Sequence, residues 1–145
     1  MGLFKRILVP VDGSRYSRDA VRLAIQIAKI HQSQLKIFHV LDISLLDQLS
    51  RFSPDNGETM REELGSSAQG FMRDMEREAA EEGIELSMEV QEGIPHETIL
   101  EEISVWEPDL IVMGKLGRRG VAHILLGSVT ERVVEFSDVP VLVVK

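Results

Sequence analysis

The chain has 145 residues and a mass of 16.3 kDa, the size of one domain, and its 28% charged and 43% hydrophobic residues exclude disordered and fibrous classes. It has no cysteine and no apolar run near the roughly 18–20 residues of a membrane span, and its first six residues lack the apolar stretch and cleavage site of a secretory signal, so we expect a soluble, cytoplasmic protein without disulfides or thiolate chemistry. The net charge of −8, with 15 acidic and 3 basic side chains in residues 54–102, argues against general nucleic-acid binding.

The first half of the chain begins with a β-α-β pattern. Residues 6–11 form a continuous apolar run that predicts a strand buried on both faces. Ser14 is a suitable N-cap for a helix that reaches about His31, and residues 35–40 predict a second strand. The following residues, 42–57, are rich in Ser, Asp, Pro and Gly, which predicts a mobile connection.

The second half continues with alternating elements. A charged helix with an apolar stripe is predicted over residues 59–82, and Gly83 ends it. Polar and apolar residues alternate over 85–90, which predicts a strand at the edge of the sheet with one solvated face. Pro95 suits the first turn of the next helix, and residues 110–113 predict another buried strand.

A last helix and strand close the pattern. Ser128 opens the helix, with Val129, Val133 and Phe136 on the side expected to be buried, and residues 141–144 form the final strand. The order β-α-β, a long helical connection, then β-α-β-α-β is typical of an α/β domain. It predicts a single open parallel five-stranded sheet with helices on both faces.

The spacing of glycines and polar residues predicts a ligand site at the carboxyl ends of the strands. If the first and fourth strands are neighbours, residues 11–14 and 114–128 form two walls of a crevice where the strand order reverses. Glycines let backbone N–H groups approach an anion, and a helix N-terminus adds a positive dipole end. Four basic residues and one acidic residue lie between Lys115 and Arg132, which favours a phosphate chain over a plain glycine-rich turn.

Two of these residues have alternative interpretations. Ser128 and Glu131 have the spacing of a capping box, which needs no ligand, but the Ser128 hydroxyl could instead reach a phosphate oxygen. Asp12 follows a buried strand and could accept both hydroxyls of a ribose, or it could be a turn aspartate that bonds to its own backbone.

Three sequence blocks together resemble the universal stress protein family. They are residues 7–14, the pattern Gly114-x2-Gly117-x9-Gly127-Ser128, and residues 140–144. The glycine spacing is similar to that of the ATP-binding branch. The resemblance implies one universal stress protein domain over residues 1–145 and a Rossmann-like sheet of order 3-2-1-4-5, similar to the adenine nucleotide alpha hydrolases.

The resemblance also implies roles for individual residues. Asp12 would hold the ribose, the backbone of Val40 would meet the adenine edge, and the glycine loop would hold the phosphates. The predicted cofactor-binding residues are Pro10, Val11, Asp12, Val40, Met113, Gly114, Gly117, Arg118, Gly127, Ser128 and Val129. The expected ligand is ATP, AMP or ADP, with any Mg²⁺ held by phosphates, water and Asp12. The pair Lys115–Leu116 departs from the small or polar residues usual in the family.

The function that we expect is adenine-nucleotide binding in a stress-response or regulatory role. The alternative is a slow ATP-hydrolysing enzyme of the same fold, although no residue is clearly placed to activate a nucleophile, so no catalytic residue is assigned. A phosphoacceptor receiver domain would need an acidic pair after the first strand, where Asp12 stands alone. A flavodoxin would need aromatic residues around a flavin, and the chain has one Trp and one Tyr.

Other candidate features are weaker. The histidines show no metal-ligand spacing, so we interpret them as structural or solvated, with His123 inside the glycine loop. The uncharged run before Lys145 predicts an edge strand through which two copies pair as a homodimer. Beyond the nucleotide and a second copy, we expect a protein partner that the sequence does not identify, and neither nucleic acid nor membrane.

Overall fold

Strands and helices alternate along the chain in the computed structural model, which describes residues 2–52, 57–117 and 126–145. The strands are β1 (Arg6–Val11), β2 (Gln34–Asp42), β3 (Leu86–Gly93), β4 (Leu110–Gly114) and β5 (Val141–Val144). The helices are α1 (Arg15–His31), α2 (Ile43–Phe52), α3 (Gly57–Glu81), α4 (Pro95–Trp106) and α5 (Ser128–Phe136). Arg118 and His123 of the predicted glycine loop lie outside the described residues.

The five strands form one parallel sheet in the order β3-β2-β1-β4-β5, which confirms the predicted fold class and strand order. The chain moves outward from β1 through β2 to β3 and then returns to β4 on the other side of β1. The order therefore reverses between β1 and β4. In an open parallel sheet this reversal leaves a crevice at the carboxyl ends of the two strands.

Two apolar cores cover the two faces of the sheet. On one face, α1 and α3 pack through residues such as Ile25 and Met75 against Ile7 and Val9 of β1. The other face is covered by α4 and α5, which pack against a core that includes Phe38 of β2. Because both faces are covered, the central strands are buried on both sides, as their continuous apolar runs predict.

The helix ends follow from local sequence. The Ser14 hydroxyl accepts a hydrogen bond from the Ser17 N–H at 3.2 Å, which confirms Ser14 as the N-cap of α1. Gly83 has φ +77° after α3, and the N–H of Ile84 returns to the Ala79 carbonyl at 2.9 Å. A left-handed glycine with such a bond is a common helix end, so Gly83 ends α3 as predicted.

The segment that follows β2 differs from its prediction. Strand β2 continues to Asp42, and residues 43–52 form the helix α2 where a mobile connection was expected. The Oδ1 atom of Asp42 accepts bonds from the Ser44 N–H at 3.0 Å, the Ser44 hydroxyl at 2.6 Å and the Leu45 N–H at 3.4 Å. An aspartate that satisfies these first N–H groups starts a helix, and Leu46 anchors α2 by burying its side chain.

Helix α5 begins at Ser128 as predicted, but its capping and its last turn differ from the sequence interpretation. Gly127, not Ser128, is the N-cap, and Ser128 is the first helical residue. Of the two interpretations of Ser128, the capping box with Glu131 is therefore wrong. Phe136 was expected to be buried beside Val133, yet 58% of its surface is exposed while Val133 is fully buried. The nine-residue helix ends there, so its last turn extends beyond the core it covers.

None of the helices in the described ranges combines the length and the apolar composition needed to cross a membrane.

Candidate functional site

A cavity of about 350 Å³ opens at the carboxyl ends of the strands, where the strand order reverses. This volume lies in the range of small-molecule sites. Ten of the eleven predicted cofactor-binding residues line this one cavity, and the eleventh, Arg118, lies outside the described residues. The ten are Pro10, Val11, Asp12, Val40, Met113, Gly114, Gly117, Gly127, Ser128 and Val129.

The carboxylate of Asp12 is held by the turn that links β1 to α1. Its Oδ1 atom accepts bonds from the Ser14 N–H at 2.9 Å and from the Ser17 hydroxyl at 3.1 Å. Ser17 is buried, so its hydroxyl holds the Asp12 carboxylate from the interior of the protein. The turn-aspartate interpretation is therefore correct for Oδ1. The second oxygen, Oδ2, lies beside Gly117 on the opposite wall of the cavity.

Two of the motif glycines stand where there is no room for a side chain. A Cβ at Gly114 would lie 2.6 Å from the Cβ of Tyr16 and 2.9 Å from its carbonyl oxygen, because α1 packs directly on the end of β4. A Cβ at Gly117 would lie 2.5 Å from Oδ2 of Asp12. The first glycine thus permits helix packing, and the second permits the two walls of the cavity to approach each other.

The loop after β4 is tied to its surroundings through backbone hydrogen bonds. The Gly127 N–H donates to the Lys115 carbonyl at 2.8 Å, which joins the two ends of the loop. The Lys115 N–H donates to the Val144 carbonyl at 2.7 Å, which joins the loop to the outer strand β5. A Cβ at Gly127 would lie 3.3 Å from the Gly117 nitrogen and 3.3 Å from the Leu116 Cα, so Gly127 also packs tightly against the backbone of these two residues.

The first turn of α5 lies against the cavity. Ser128 is exposed and lines the cavity without capping the helix. Thr130 is buried, and its hydroxyl donates to the Gly114 carbonyl at 2.8 Å, which fixes the helix to the end of β4. The sequence analysis missed Thr130, because a threonine in a helical pattern gives no sign that its hydroxyl bonds to a distant strand.

An apolar wall that the sequence analysis did not assign also lines the cavity. It comes from β2, from α2 and α3 on one side, and from the start of α4 on the other. Its members are Phe38, Leu41, Leu45, Leu64, Ala68, Phe71, Pro95 and Ile99. Leu64, Ala68 and Phe71 belong to the predicted stripe of the long helix, so their burial was predictable but their place at the cavity was not.

The described lining is acidic rather than basic. It includes the carboxylates of Asp12 and Asp42, the imidazole of His39 and the hydroxyls of Ser17, Ser67, Ser128 and Thr130, while no Lys or Arg from the described ranges lines it. The Nδ1 atom of His39 lies 2.7 Å from the Val11 carbonyl, so this histidine joins β2 to β1. Within residues 2–52, 57–117 and 126–145, no three His, Asp or Glu side chains are grouped to hold a metal.

The sequence matches the model of the Universal stress protein family over residues 3–145. The chain belongs to the universal stress protein family.

Individual relatives agree with this assignment. A universal stress protein of Methanocaldococcus jannaschii, MJ0531, is 38% identical over 143 residues, which cover 99% of this chain and 83% of that protein. The universal stress protein UspA from Lactobacillus plantarum has a similar structure, with a TM-score of 0.86, 30% identity and 97% of each chain covered. A universal stress protein in complex with cAMP has a TM-score of 0.71 and 26% identity, with 97% of this chain and 96% of that one covered.

The pair Lys115–Leu116 begins the loop of this universal stress protein, and the structure shows where the two side chains lie. Leu116 is buried and lines the cavity beside Gly117 and Gly127. Lys115 is half-exposed, and its backbone supplies both of the bonds that tie the loop to Gly127 and Val144. Leu116 therefore adds an apolar contact within the loop, and Lys115 leaves a cation at its surface.

Proposed function

We propose that this universal stress protein binds an adenine nucleotide, with ATP as the expected ligand, and that binding serves a regulatory role in the stress response. One observation carries the proposal. Predicted residues from three separate parts of the chain, at the end of β1, in β2 and from Met113 to Val129, line a single cavity at the reversal of strand order, which is where α/β sheets of this type bind ligands. The similar structure that contains cAMP adds a relative with an adenine nucleotide.

The ribose is expected at Asp12. Because Oδ1 is held by Ser14 and Ser17, the carboxylate is positioned before a ligand arrives, and no side-chain rotation is needed on binding. A carboxylate accepts hydrogen bonds only, which suits two neighbouring hydroxyl donors. Preorganised acceptors of this kind lose less conformational entropy when they bind.

The phosphates are expected over the close contact between Gly127 and Gly117 and over the start of α5. Gly127 is the N-cap and makes no side-chain cap hydrogen bond, so among the described residues no cap side chain occupies the first N–H groups of α5, and the helix dipole favours an anion there. Ser128 lines the cavity at the same place and adds a hydroxyl. With no grouped side chains for a metal in the described ranges, we propose that Mg²⁺ is held mainly by the phosphates and water.

The base is expected between the ends of β1 and β2 and the apolar wall. The backbone of Val40 would meet its edge, and Pro10 and Val11 would pack against its face. The many apolar residues at this end favour a flat aromatic ring, whose burial is worth about 25 cal/mol per Å² of apolar surface removed from water.

We further propose a homodimer formed through β5. This strand is at the edge of the sheet, and the Pro140 and Val144 carbonyls accept bonds from the N–H groups of Ile111 in β4 and of Lys115 directly after it. Because strand residues alternate, Val141 and Val143 then present their backbone groups to the open edge. The side chains of Leu142 and Phe136 are 38% and 58% exposed, and pairing with a second copy would cover such an edge.

The test of nucleotide binding is the thermal unfolding of the protein with and without Mg-ATP. At a hundredfold excess over Kd, a ligand that binds only the native state stabilises it by about 2.7 kcal/mol. For a chain of this size that raises Tm by roughly 5–10 °C. A melting curve unchanged by millimolar Mg-ATP would refute the proposal.

Gly127→Val is the matched control variant that should not bind Mg-ATP. A valine there would press on the backbone at Leu116 and Gly117 and fill the space expected for a phosphate. We expect it to fold, with some loss of stability, and to show no shift with Mg-ATP. Release of inorganic phosphate, measured on the same wild-type samples, separates binding from the alternative of slow hydrolysis.

A further inference from the structure

We propose that Asp42 selects the base, so that the site takes purines with an amino group at position 6 and rejects those with an oxo group. This inference rests on the proposed function, and it assigns a role to a residue outside the predicted site.

Asp42 is the second carboxylate of the cavity lining, and one of its oxygens is fixed. Oδ1 accepts all three hydrogen bonds that start α2, from the N–H and hydroxyl of Ser44 and the N–H of Leu45. Within the described part of the chain, these bonds leave Oδ2 with no donor. The helix therefore holds a half-buried carboxylate in place at the cavity with one oxygen available for a ligand.

The strand register places Asp42 at the distance of a nucleoside from the expected ribose site. Val11 pairs with His39, so Asp12 is level with Val40, and Asp42 lies two residues further along β2. Two residues of strand advance about 7 Å, and neighbouring strands are about 4.8 Å apart. By this ideal strand geometry the Cα atoms of the two aspartates would be about 8 Å apart, comparable to the length of a nucleoside from its ribose hydroxyls to the far edge of its base.

The surroundings of Asp42 explain why it would discriminate between bases. Leu41 and Leu45 lie close to Asp42 along the chain and line the cavity with it, so beside the Val40 backbone the Asp42 carboxylate would be the charged partner of the base edge. The 6-amino group of adenine donates a hydrogen bond to a carboxylate. The 6-oxo group of hypoxanthine is an acceptor, and it would face the negative charge with no proton between them.

Asp42→Asn tests this inference with little change in shape. Asparagine is as good an N-cap as aspartate, so its carbonyl keeps α2 in place while its amide presents donors where Oδ2 was an acceptor. We would measure the Kd of ATP and of ITP by calorimetry for both proteins. The expected result is that the wild type prefers ATP by about tenfold or more and that Asp42→Asn loses most of this preference.

Asp47→Asn is the matched control, because Asp47 is on the same helix, is exposed and does not line the cavity. It changes the net charge equally and should leave the ATP-to-ITP ratio unchanged. If the wild type binds ATP and ITP equally, or if Asp42→Asn keeps the wild-type ratio, the inference is wrong while nucleotide binding stands. If the wild type binds neither nucleotide, the proposed function fails and the inference fails with it.

Discussion

Replacing Gly117 with alanine tests whether the Asp12 carboxylate and the glycine loop act as one unit. The new Cβ would lie 2.5 Å from Oδ2 of Asp12, closer than two such atoms can approach. The carboxylate can give way only by turning, and turning breaks or weakens the bonds that Oδ1 accepts from Ser14 at 2.9 Å and Ser17 at 3.1 Å. Hydrogen bonds to charged groups contribute about 1.5–3 kcal/mol each.

Because Asp12 is only half-buried, the lower end of that range applies to one lost bond, about 1.5 kcal/mol. For a chain of this length we expect Tm to fall by roughly 5 °C. ATP should bind about 10–100-fold more weakly, since the ribose acceptor is displaced as well. Differential scanning calorimetry and titration calorimetry measure the two effects.

Gly70→Ala is the control, because a Cβ there meets nothing within 4 Å on the exposed side of α3. It should unfold at the same or a slightly higher temperature, since alanine favours a helix over glycine by about 0.5–1 kcal/mol. If Gly117→Ala behaves like Gly70→Ala in both assays, the contact between the loop and Asp12 does not have the role argued for it.

Three further predictions concern single residues. Asp12→Ala should weaken ATP and adenosine binding alike, because it acts at the ribose; a loss confined to ATP would point to a metal or phosphate role instead. Val143→Pro should convert the dimer to a monomer while the fold survives, because its N–H faces the open edge of β5; light scattering that still gives twice 16.3 kDa would exclude pairing through this edge. Thr130→Val should reduce the free energy of unfolding by about 1–2 kcal/mol, since the Gly114 carbonyl loses a buried donor, and an unchanged midpoint in urea would contradict this.

The sheet was predictable because its strands carry patterns that depend only on burial. Residues 7–11 and 110–113 are uninterrupted apolar runs, and the structure buries these residues between two layers of helices. The switch-point cavity followed from the order of elements on the condition that the first and fourth strands are neighbours. The family resemblance added the strand order, which confined the expected site to the ends of β1 and β4.

The parts that were not predictable depend on distant contacts or on single hydrogen bonds. Helix α2 lies in a stretch whose turn-forming residues suggested a loop, and its start depends on how the Asp42 carboxylate meets Ser44. The apolar wall of the cavity brings Leu45 and Ile99 together from opposite faces of the sheet, which periodicity along the chain cannot show. The N-cap of α5 is Gly127 and not Ser128, and the sequence could not separate them because both glycine and serine are common at N-caps.

The close packing of Tyr16 on Gly114 determines which glycine would be retained in a related sequence after nucleotide binding is lost. Gly114 is constrained by α1 whether or not a nucleotide is ever bound, since any side chain there would meet the Tyr16 backbone. Selection for folding alone would therefore retain it in a descendant that had abandoned nucleotides. A Cβ at Gly127 would meet its nearest backbone atoms at 3.3 Å, a tight contact that a shift of a few tenths of an ångström would relieve, so this glycine would be replaced sooner. Among diverged copies of this chain, Gly127 is therefore a more informative marker of a working site than Gly114.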